Sequence, residues 1–243
     1  MTNENEFETL FREVFHKNEL DAYISEHTIR LFTDLTDRMV ETNRVMNITA
    51  LTTPEKIIPL HYADCALIAG RIPENAKVAD VGCGGGFPTL PLAILRPDLT
   101  ITAIDSTEKK VRYVAETAKA LGLSVHTCAG RAEELAGQPD FREQFDLVVS
   151  RAVARQNILN ELCLPLVKVG GQLLTMKGAG GEEEYREAMN SVRLLGGGEA
   201  RLDSYTLYLT NGEEKRTVIT VQKETPTEAK YPRPFGKIKK NPL

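Results

Sequence analysis

From residue 77 onward, short β-branched or apolar runs alternate with stretches of helical periodicity, and this alternation limits the possible folds more than any other feature. The runs that predict strands are KVADV (77–81), LTITAID (99–105), SVHTC (124–128), FDLVVS (145–150) and GQLLTMK (171–177). Helices are predicted after the first run, over 107–122 and over about 155–168. Strands that alternate with helices are typical of a parallel, doubly wound sheet. The sequence therefore predicts an α/β fold of Rossmann-like type.

The end of this region departs from the alternation. RLDSYTLYL (201–209) and KRTVITVQK (215–223) are two strand-like runs joined by TNGEE. Its Asn211-Gly212 pair is a strong hairpin signal, because both residues tolerate positive φ. We therefore expect a mostly parallel, seven-stranded sheet that ends in a C-terminal antiparallel hairpin.

The first 75 residues have a helical pattern. Two amphipathic helices are indicated by apolar residues at three-to-four spacing: Phe7, Leu10, Phe11 and Val14, then Ile29, Phe32, Leu35 and Met39. A third helix begins after the capping residue Thr53 and runs to Gly70, with an interruption expected at Pro59. We expect a single domain over 1–243, with a helical extension (1–75), a ligand-binding core (76–224) and a C-terminal arm (225–243).

Composition excludes several classes of protein. The chain has 243 residues and a net charge of −4, and it contains no apolar run near the roughly 18 residues of a membrane span. The N-terminus is acidic and does not resemble a secretory signal, so we expect a cytoplasmic protein. Its four cysteines are far apart and form no CxxC pair, which fits neither a disulfide framework nor a zinc site. No metal is expected, and His61 is expected to have a hydrogen-bonded structural role.

The basic charge is concentrated at the C-terminus. The last fifteen residues contain no acid and five basic residues, Lys230, Arg233, Lys237, Lys239 and Lys240, so the rest of the chain carries −9. Tyr231 and Phe235 lie among these cations, and aromatic and basic side chains together can contact RNA. This composition favours an RNA-facing arm, and a solubilising tail is the alternative.

A glycine-rich loop follows the first strand of the core. Gly82, Gly84 and Gly86 give G-x-G-x-G spacing, and Asp80 stands two residues earlier. In an open α/β sheet, this loop lies where ligands bind. A phosphate-binding P-loop would need Gly-Lys-Ser/Thr where Phe87 and Pro88 stand, and a dinucleotide fingerprint would need its third glycine at position 87. A Walker A site is thus excluded, and a dehydrogenase is disfavoured.

Asp105 ends the second strand, 19 residues after Gly86. A carboxylate at this place can accept hydrogen bonds from both hydroxyls of an adenosine ribose. Asp80, the glycine loop and Asp105 together resemble class I S-adenosylmethionine-dependent methyltransferases. This resemblance implies S-adenosyl-L-methionine as the cofactor.

An ordered set of segments resembles one family over almost the whole chain, the bacterial small-subunit ribosomal RNA methyltransferases G, also called glucose-inhibited division protein B. The segments are NRVMNITAL (43–51), HYADCA (61–66), DVGCGGGFPTLPLAI (80–94), AIDSTEKKVRYV (103–114), GRAEEL (130–135), VVSRAVA (148–154), MKG (176–178) and KYPRPFGKIKKNPL (230–243). Thr89 departs from the family pattern, in which glycine is common at this position. The resemblance implies methyl transfer to N7 of a guanine, with the small ribosomal subunit or its RNA as partner.

The resemblance also assigns site residues. The family's cofactor contacts fall on Gly82, Phe87, Ala132, Glu133 and Arg151, to which the glycine loop and strand ends add Asp80, Gly84, Gly86 and Asp105. Candidates for RNA contact are Arg131, Arg151, Lys177, Arg233, Lys237 and Lys239. We expect the enzyme to be a monomer.

The segment SRAV (150–153) contains none of the Asn/Asp-Pro-Pro-Tyr motif with which amino-group methyltransferases handle an exocyclic amine. Guanine N7 carries an in-plane lone pair and no proton, so methylation there needs no general base. No catalytic acid or base is therefore assigned. The alternatives are a small-molecule or protein methyltransferase, a non-catalytic S-adenosylmethionine-binding regulatory module and, third, an NAD-dependent oxidoreductase.

Overall fold

A computed structural model of the chain describes residues 4–243. Within these residues, seven strands form one sheet: β1 (Lys77–Val81), β2 (Thr100–Asp105), β3 (Val125–Ala129), β4 (Phe145–Arg151), β5 (Val167–Lys177), β6 (Gly197–Tyr208) and β7 (Glu213–Lys223). Their order is β3-β2-β1-β4-β5-β7-β6. Strands β1 to β5 are parallel, whereas β7 is antiparallel to both β5 and β6. The predicted doubly wound sheet with a C-terminal antiparallel pair is confirmed.

The helices of the described residues are α1 (Glu4–Lys17), α2 (Glu26–Asn43), α3 (Pro54–Ile57), α4 (Asp64–Ala69), α5 (Thr89–Leu95), α6 (Glu108–Ala120), α7 (Ala132–Leu135), α8 (Gln156–Cys163), α9 (Gly181–Glu187), α10 (Met189–Leu194) and α11 (Phe235–Lys240). The helix predicted over 155–168 is shorter than expected. It ends at Cys163 and continues as a 3₁₀ turn around Pro165, because proline cannot donate to the next α-helical turn. Val167 already begins β5.

The position of the central strands in the sheet explains why their sequences are apolar. β1 lies between β2 and β4 and is covered on both faces, so Val78 and Val81 are both buried although they are three residues apart. The same holds for the apolar run Leu147 to Val149 of β4. Strands that are buried on both faces have continuous apolar runs and do not alternate.

The N-terminal helices pack on the core through aromatic side chains. The rings of Phe11 and Phe15 stack with centroids 3.9 Å apart, and the ring centroids of Phe32 and Tyr62 are 4.4 Å apart. The Tyr62 hydroxyl and the Thr36 hydroxyl are hydrogen-bonded at 2.7 Å, so the buried tyrosine keeps a polar partner. The helical extension is therefore built into the same hydrophobic cluster that reaches the glycine loop.

The interruption expected at Pro59 is a change of helix type. Residues Ile58–Ala63 form a π-helical segment between α3 and α4, and the helix continues to Ala69. Proline has no N–H to donate, and a π segment is one way for a helix to continue past it. This segment carries His61 to the carboxyl end of β4.

The C-terminal arm is held to the core by buried polar contacts. The Arg142 guanidinium donates to the carbonyls of Thr227 (2.7 Å) and Tyr231 (3.0 Å). The buried Lys223 ammonium, at the end of β7, donates to the Thr227 hydroxyl of the arm and to the carbonyls of Leu164 and Leu195, the last two at 2.9 Å. The arm therefore follows a defined path to α11.

The four cysteines are free thiols, and three of them are buried. Among residues 4–243, no group of three or more His, Cys, Asp and Glu side chains is placed to hold a metal ion. Across the same residues, none of the helices combines the length and the apolar character that crossing a bilayer requires.

Candidate cofactor and RNA site

A cleft of about 420 Å³ lies over the carboxyl ends of β1 to β4. The chain runs outward from β1 to β3 and then returns to the other side of β1 at β4, so the strand order reverses here. Ligands of open α/β sheets bind at such a reversal, and the volume lies in the range of small-molecule sites, roughly 300–1,000 Å³.

The glycine loop forms the floor of this cleft with its backbone. Gly82 has φ +77°, and a Cβ added there would lie 2.3 Å from the Val153 side chain. Gly84 also has positive φ, +54°, and lines the cleft. Gly86 (φ +89°) does not line it, because an added Cβ would meet Leu90 at 2.5 Å on the side of the core. Its positive φ suits a turn and packing role, and its contact with the cofactor stays a prediction.

Asp105 lines the cleft and also holds the loop beside it. Its Oδ2 accepts a hydrogen bond from the Gly84 amide at 3.0 Å, and its Oδ1 accepts one from the Thr107 amide at 2.8 Å. Each carboxylate oxygen has a second lone pair, so the side chain can still accept from two hydroxyls in the cleft. Asp105 therefore both holds the glycine loop and lines the ligand site.

Asp80 is fully buried behind the glycine loop and does not line the cleft. Its Oδ2 accepts from the amide and from the hydroxyl of Thr89, at 3.2 and 2.6 Å, whereas Oδ1 has no partner among residues 4–243. Burial raises the pKa of Asp80 to about 6. The structure places Asp80 behind the loop, where it holds the start of α5, and its contact with the cofactor stays a prediction. Thr89, the departure from the family pattern, supplies two of its hydrogen bonds.

Ala132 and Glu133 begin α7 after β3, and both line the cleft. Arg131 precedes them and is half exposed; its Nη1 lies 3.7 Å from Glu133 Oε1. The Arg131 guanidinium also lies 5.7 Å from the ring centre of Phe235, which comes from α11 and closes this side of the cleft. From the sequence, Phe235 is predicted only as a possible RNA contact, and no sequence signal indicates that it lines the cleft.

Arg151 ends β4 and is almost buried, with 14% of its side chain exposed. Its Nη1 donates to the Leu60 carbonyl and to Asp64 Oδ2, both at 3.1 Å, and its Nη2 donates to His61 Nδ1 at 2.8 Å. The guanidinium lies 5.4 Å from the ring centre of Phe87. Arg151 is therefore rigidly oriented where the cofactor cleft faces the ends of β4 and β5.

The hydrogen bonds of His61 define its tautomer. A guanidinium can only donate, so Nδ1 must accept from Arg151 and Nε2 must carry the proton, which it donates to Thr49 Oγ1 at 2.9 Å. The ring stacks on Phe87, with centroids 4.1 Å apart. Burial and the neighbouring Arg151 lower the pKa of His61 to about 3, so the ring stays neutral. Sequence reasoning missed that this histidine lines the cleft.

The neutral His61 predicts an acid-sensitive fold. Its pKa is about 3 in the folded protein and 6.5 for a solvated histidine, so the unfolded chain binds the extra proton between these values and stability falls as pH falls. When the pH falls from 7 to 5, we expect the free energy of unfolding to decrease by about 2 kcal/mol less for His61→Gln than for the wild type. Urea unfolding at both pH values measures this difference.

Asp80 acts in the opposite sense, because its raised pKa stabilises the fold as pH falls, but it is present in both proteins and cancels in the comparison. The exposed His126, changed to Gln, serves as the matched control. Equal pH dependence of wild type and His61→Gln would contradict a buried neutral ring.

Besides Arg151, two more of the candidate RNA contacts are already engaged within the fold. Both carboxylate oxygens of the buried Glu161 accept from the Arg233 guanidinium, at 2.8 and 2.6 Å. Arg233 therefore anchors the arm, and its role as an RNA contact stays a prediction. Lys177 Nζ donates to the Ala154 carbonyl and to Glu184 Oε2, both at 2.7 Å, and lines a second cavity beside the cleft.

Lys237 and Lys239 are exposed on α11, the helix that also brings Phe235 to the cleft. They are the candidates in the arm whose charge faces solvent. Together with the half-exposed Arg131, they place positive charge beside the cofactor cleft.

The residues of the cleft fit S-adenosylmethionine, which carries a ribose, a positive sulfonium and no phosphate. Asp105 and Glu133 supply carboxylates for hydroxyls and positive charge, and Gly82 leaves room that a side chain would fill. The sheet order, the backbone-lined glycine loop and the carboxylate at the end of β2 together define a class I S-adenosylmethionine-dependent methyltransferase.

Solved structures support this fold. The TYW2 protein of M. jannaschii, solved in complex with AdoMet, aligns with a TM-score of 0.53 and 16% identity over 67% of this chain and 75% of that one. The precorrin-6y C5,15-methyltransferase of Geobacter metallireducens aligns with a TM-score of 0.51 and 15% identity, over 66% of this chain and 87% of that one. At these identities the likeness concerns the fold alone.

Sequence comparison identifies the family. Residues 28–208 match the GidB family model, described as rRNA small subunit methyltransferase G. The ribosomal RNA small subunit methyltransferase G of Moorella thermoacetica is 43% identical over 211 residues, 86% of this chain and 87% of that protein. The protein of the same name from Lactobacillus johnsonii is 39% identical over 239 residues, 95% of this chain and 99% of that protein.

The chain belongs to the ribosomal RNA small subunit methyltransferase G family. It is an S-adenosylmethionine-dependent methyltransferase, and its substrate is ribosomal RNA. The family resemblance seen in the sequence is confirmed.

Proposed function

We propose that the enzyme methylates N7 of a guanine in small-subunit ribosomal RNA. The observation that carries this proposal is the state of the ionisable groups where the cleft meets the end of β4. His61 is neutral and uses both ring nitrogens, while Arg151 and Asp64 bind each other. Such a site suits a nucleophile that brings a lone pair and has no proton to lose, as N7 does.

We infer that the cofactor is held by the backbone at Gly82 and Gly84 and by Phe87, with Asp105 at the ribose and Ala132 and Glu133 at the far end of the cleft. When bound, S-adenosylmethionine supplies an electrophilic methyl group on its sulfonium. The residues of the chain orient the base and exclude water. Orientation of this kind can contribute up to about 7–11 kcal/mol to a displacement.

Transfer of tritiated methyl to small ribosomal subunits from cells that lack this protein tests the proposal. We expect label in the RNA at one site that is sensitive to cleavage chemistry specific for N7-methylguanine. Label at another atom would reject the N7 assignment. No transfer to subunits or naked RNA, despite cofactor binding, would reject this chain as the rRNA enzyme and favour a small-molecule or regulatory role.

Lys237 and Lys239 should make subunit binding depend on salt, because the rest of the chain is acidic and each phosphate contact releases counterions. We expect the double change Lys237→Gln and Lys239→Gln to reduce the slope of log K against log salt by about 1.5 to 2. Filter binding between 50 and 200 mM salt measures the slope.

Lys17 of α1 offers the matched control for this slope. The next residue, Asn18, bonds to Tyr208 on the outer strand β6, which places this end of α1 at the far edge of the sheet. Lys17→Gln should therefore leave the slope unchanged. An unchanged slope in the double variant would show that α11 does not contact phosphate.

We also propose that 1–75, 76–224 and 225–243 form one domain and that the enzyme is a cytoplasmic monomer, since its substrate is ribosomal. The large exposed apolar side chains of residues 4–243 lie on five separate segments, two in loops and one each on β5, α10 and β6: Val45, Val153, Val169, Leu194 and Tyr208. This distribution favours a monomer, which light scattering of the purified protein tests.

A further inference from the structure

A second cavity, of about 500 Å³, lies beside the cofactor cleft and shares His61, Arg151 and Ala152 with it. It covers the ends of β4 and β5, which are neighbours in the sheet and therefore about 4.8 Å apart. A planar base in this cavity would have one edge toward the cofactor cleft and the opposite edge toward the end of β5. The cavity is thus placed to take the base that is methylated.

Two carboxylates line this cavity, and they differ in what they already bind. Both oxygens of Asp64 are engaged, Oδ2 by Arg151 at 3.1 Å and Oδ1 by Arg216 at 3.2 Å. Glu184, from α9, is 23% exposed and is bound at one oxygen. Its Oε1 accepts no hydrogen bond from residues 4–243, so Glu184 is the carboxylate that can still accept from a ligand.

The bound oxygen of Glu184 is held from two sides. Oε2 accepts from Lys177 Nζ at 2.7 Å and from the Gln156 backbone amide at 2.8 Å. Both partners can only donate at these atoms, so the orientation of the carboxylate is set before any base enters.

We propose that Glu184 selects guanine by accepting hydrogen bonds from its Watson–Crick edge, an inference that rests on the proposed N7 methylation. Guanine presents two adjacent donors there, N1–H and the N2 amine, which suit a carboxylate. Adenine also has an N7 lone pair, but its N1 is an acceptor, which a carboxylate repels. N7 lies on the other side of the purine, toward Arg151 and the cofactor cleft. Glu184 therefore distinguishes guanine from adenine without contacting N7, the atom that reacts.

The change Glu184→Gln gives a sharp test, because the two donors at Oε2 determine how the amide must lie. Its oxygen has to face Lys177 Nζ and the Gln156 amide, so its NH₂ group takes the place of Oε1. The group facing the base is then a donor. It opposes guanine N1–H and complements adenine N1, while the shape of the cavity is retained.

The experiment uses small subunits reconstituted with guanine or adenine at the methylated position. We measure kcat/KM for the guanine subunits and the inhibition constant of the adenine subunits as competitors. For Glu184→Gln we expect kcat/KM on guanine to fall about 5- to 150-fold, the range of one base-reading pair, and the adenine inhibition constant to become smaller. The exposed Glu183 of the same helix, changed to Gln, should leave both values unchanged.

A purely structural role for Glu184 would weaken guanine and adenine subunits together, and an unchanged preference between the two bases overturns the proposal. The inhibition constant of the adenine subunits does not depend on the fraction of folded protein, so it reports the change in preference even where part of the variant is unfolded. Failure of the underlying function is seen separately, because the wild type would then place no methyl group on guanine N7 of unmodified subunits.

Discussion

Arg151→Ala should abolish methyl transfer and lower the free energy of unfolding by about 3 kcal/mol, the low end for breaking a buried ion pair. The guanidinium occupies three acceptors, the Leu60 carbonyl, Asp64 and His61, in an almost dry site. Alanine leaves all three without this donor. Urea unfolding gives the loss of stability, and the tritium assay on subunits gives the loss of activity.

Arg151→Lys should also lose most activity, because an ammonium cannot reproduce the planar fork that binds Asp64 and His61 at once. Arg155→Ala is the matched control: its ion pair with Glu187 is exposed and screened by solvent, so its removal should leave the stability close to that of the wild type. In a double-mutant cycle, we expect Arg151→Ala and Asp64→Asn to couple by about 1 kcal/mol or more, within the range of about 0.5–3 kcal/mol for residues in contact. Additive effects would show that the contact does not orient Arg151.

Asp105→Ala should weaken cofactor binding about 100-fold or more, because two hydrogen bonds to a charged acceptor contribute about 1.5–3 kcal/mol each. Calorimetry with S-adenosylhomocysteine, the reaction product, measures the affinity without turnover. The exposed Glu108, in the first turn of α6, provides the control when it is changed to Ala. An affinity within threefold of the wild type would remove Asp105 from the ribose site.

Asp105 also holds the amides of Gly84 and Thr107, so part of the loss could come from a loosened loop. Asp105→Asn keeps an oxygen for one of these two amides and removes the negative charge. We expect it to bind the cofactor with an affinity between those of the wild type and the alanine variant. Equal losses of affinity in the Asn and Ala variants would show that the negative charge of Asp105 determines cofactor binding and that its hold on the loop does not.

Local signals predicted much of the fold. β1 was predicted with its observed bounds, since an apolar run between Lys77 and Gly82 has few alternatives. The sequence pattern predicts no helix over 178–196, although α9 and α10 lie there. Its first part, GAGGEEE, has no apolar period, and α9 is stabilised by tertiary contacts, such as that between Tyr185 and the Ala200 carbonyl.

The sequence predicted which residues line the cleft where the candidates follow a strand. Asp105, Ala132 and Glu133 lie at or just after the ends of strands β2 and β3, and all three line the cleft. Asp80 and Gly86 share the same motif but face the core, because a residue's neighbours in sequence do not decide which side of a tight loop it occupies.

The sequence by itself determined the sheet, the glycine loop and the chemistry of the cofactor, because each depends on residues within about thirty positions of one another. Only the tertiary structure brought His61, 90 residues from Arg151, onto its guanidinium and placed Phe235 across the cleft. It also engaged Arg233 with Glu161, 72 residues away, and turned Glu184 toward the end of β5. These contacts join elements that are far apart in the sequence. The sequence pattern of each element indicates which of its own residues are buried, but it does not indicate which residues they contact. Those contacts are set only when the helices and the arm pack on the sheet.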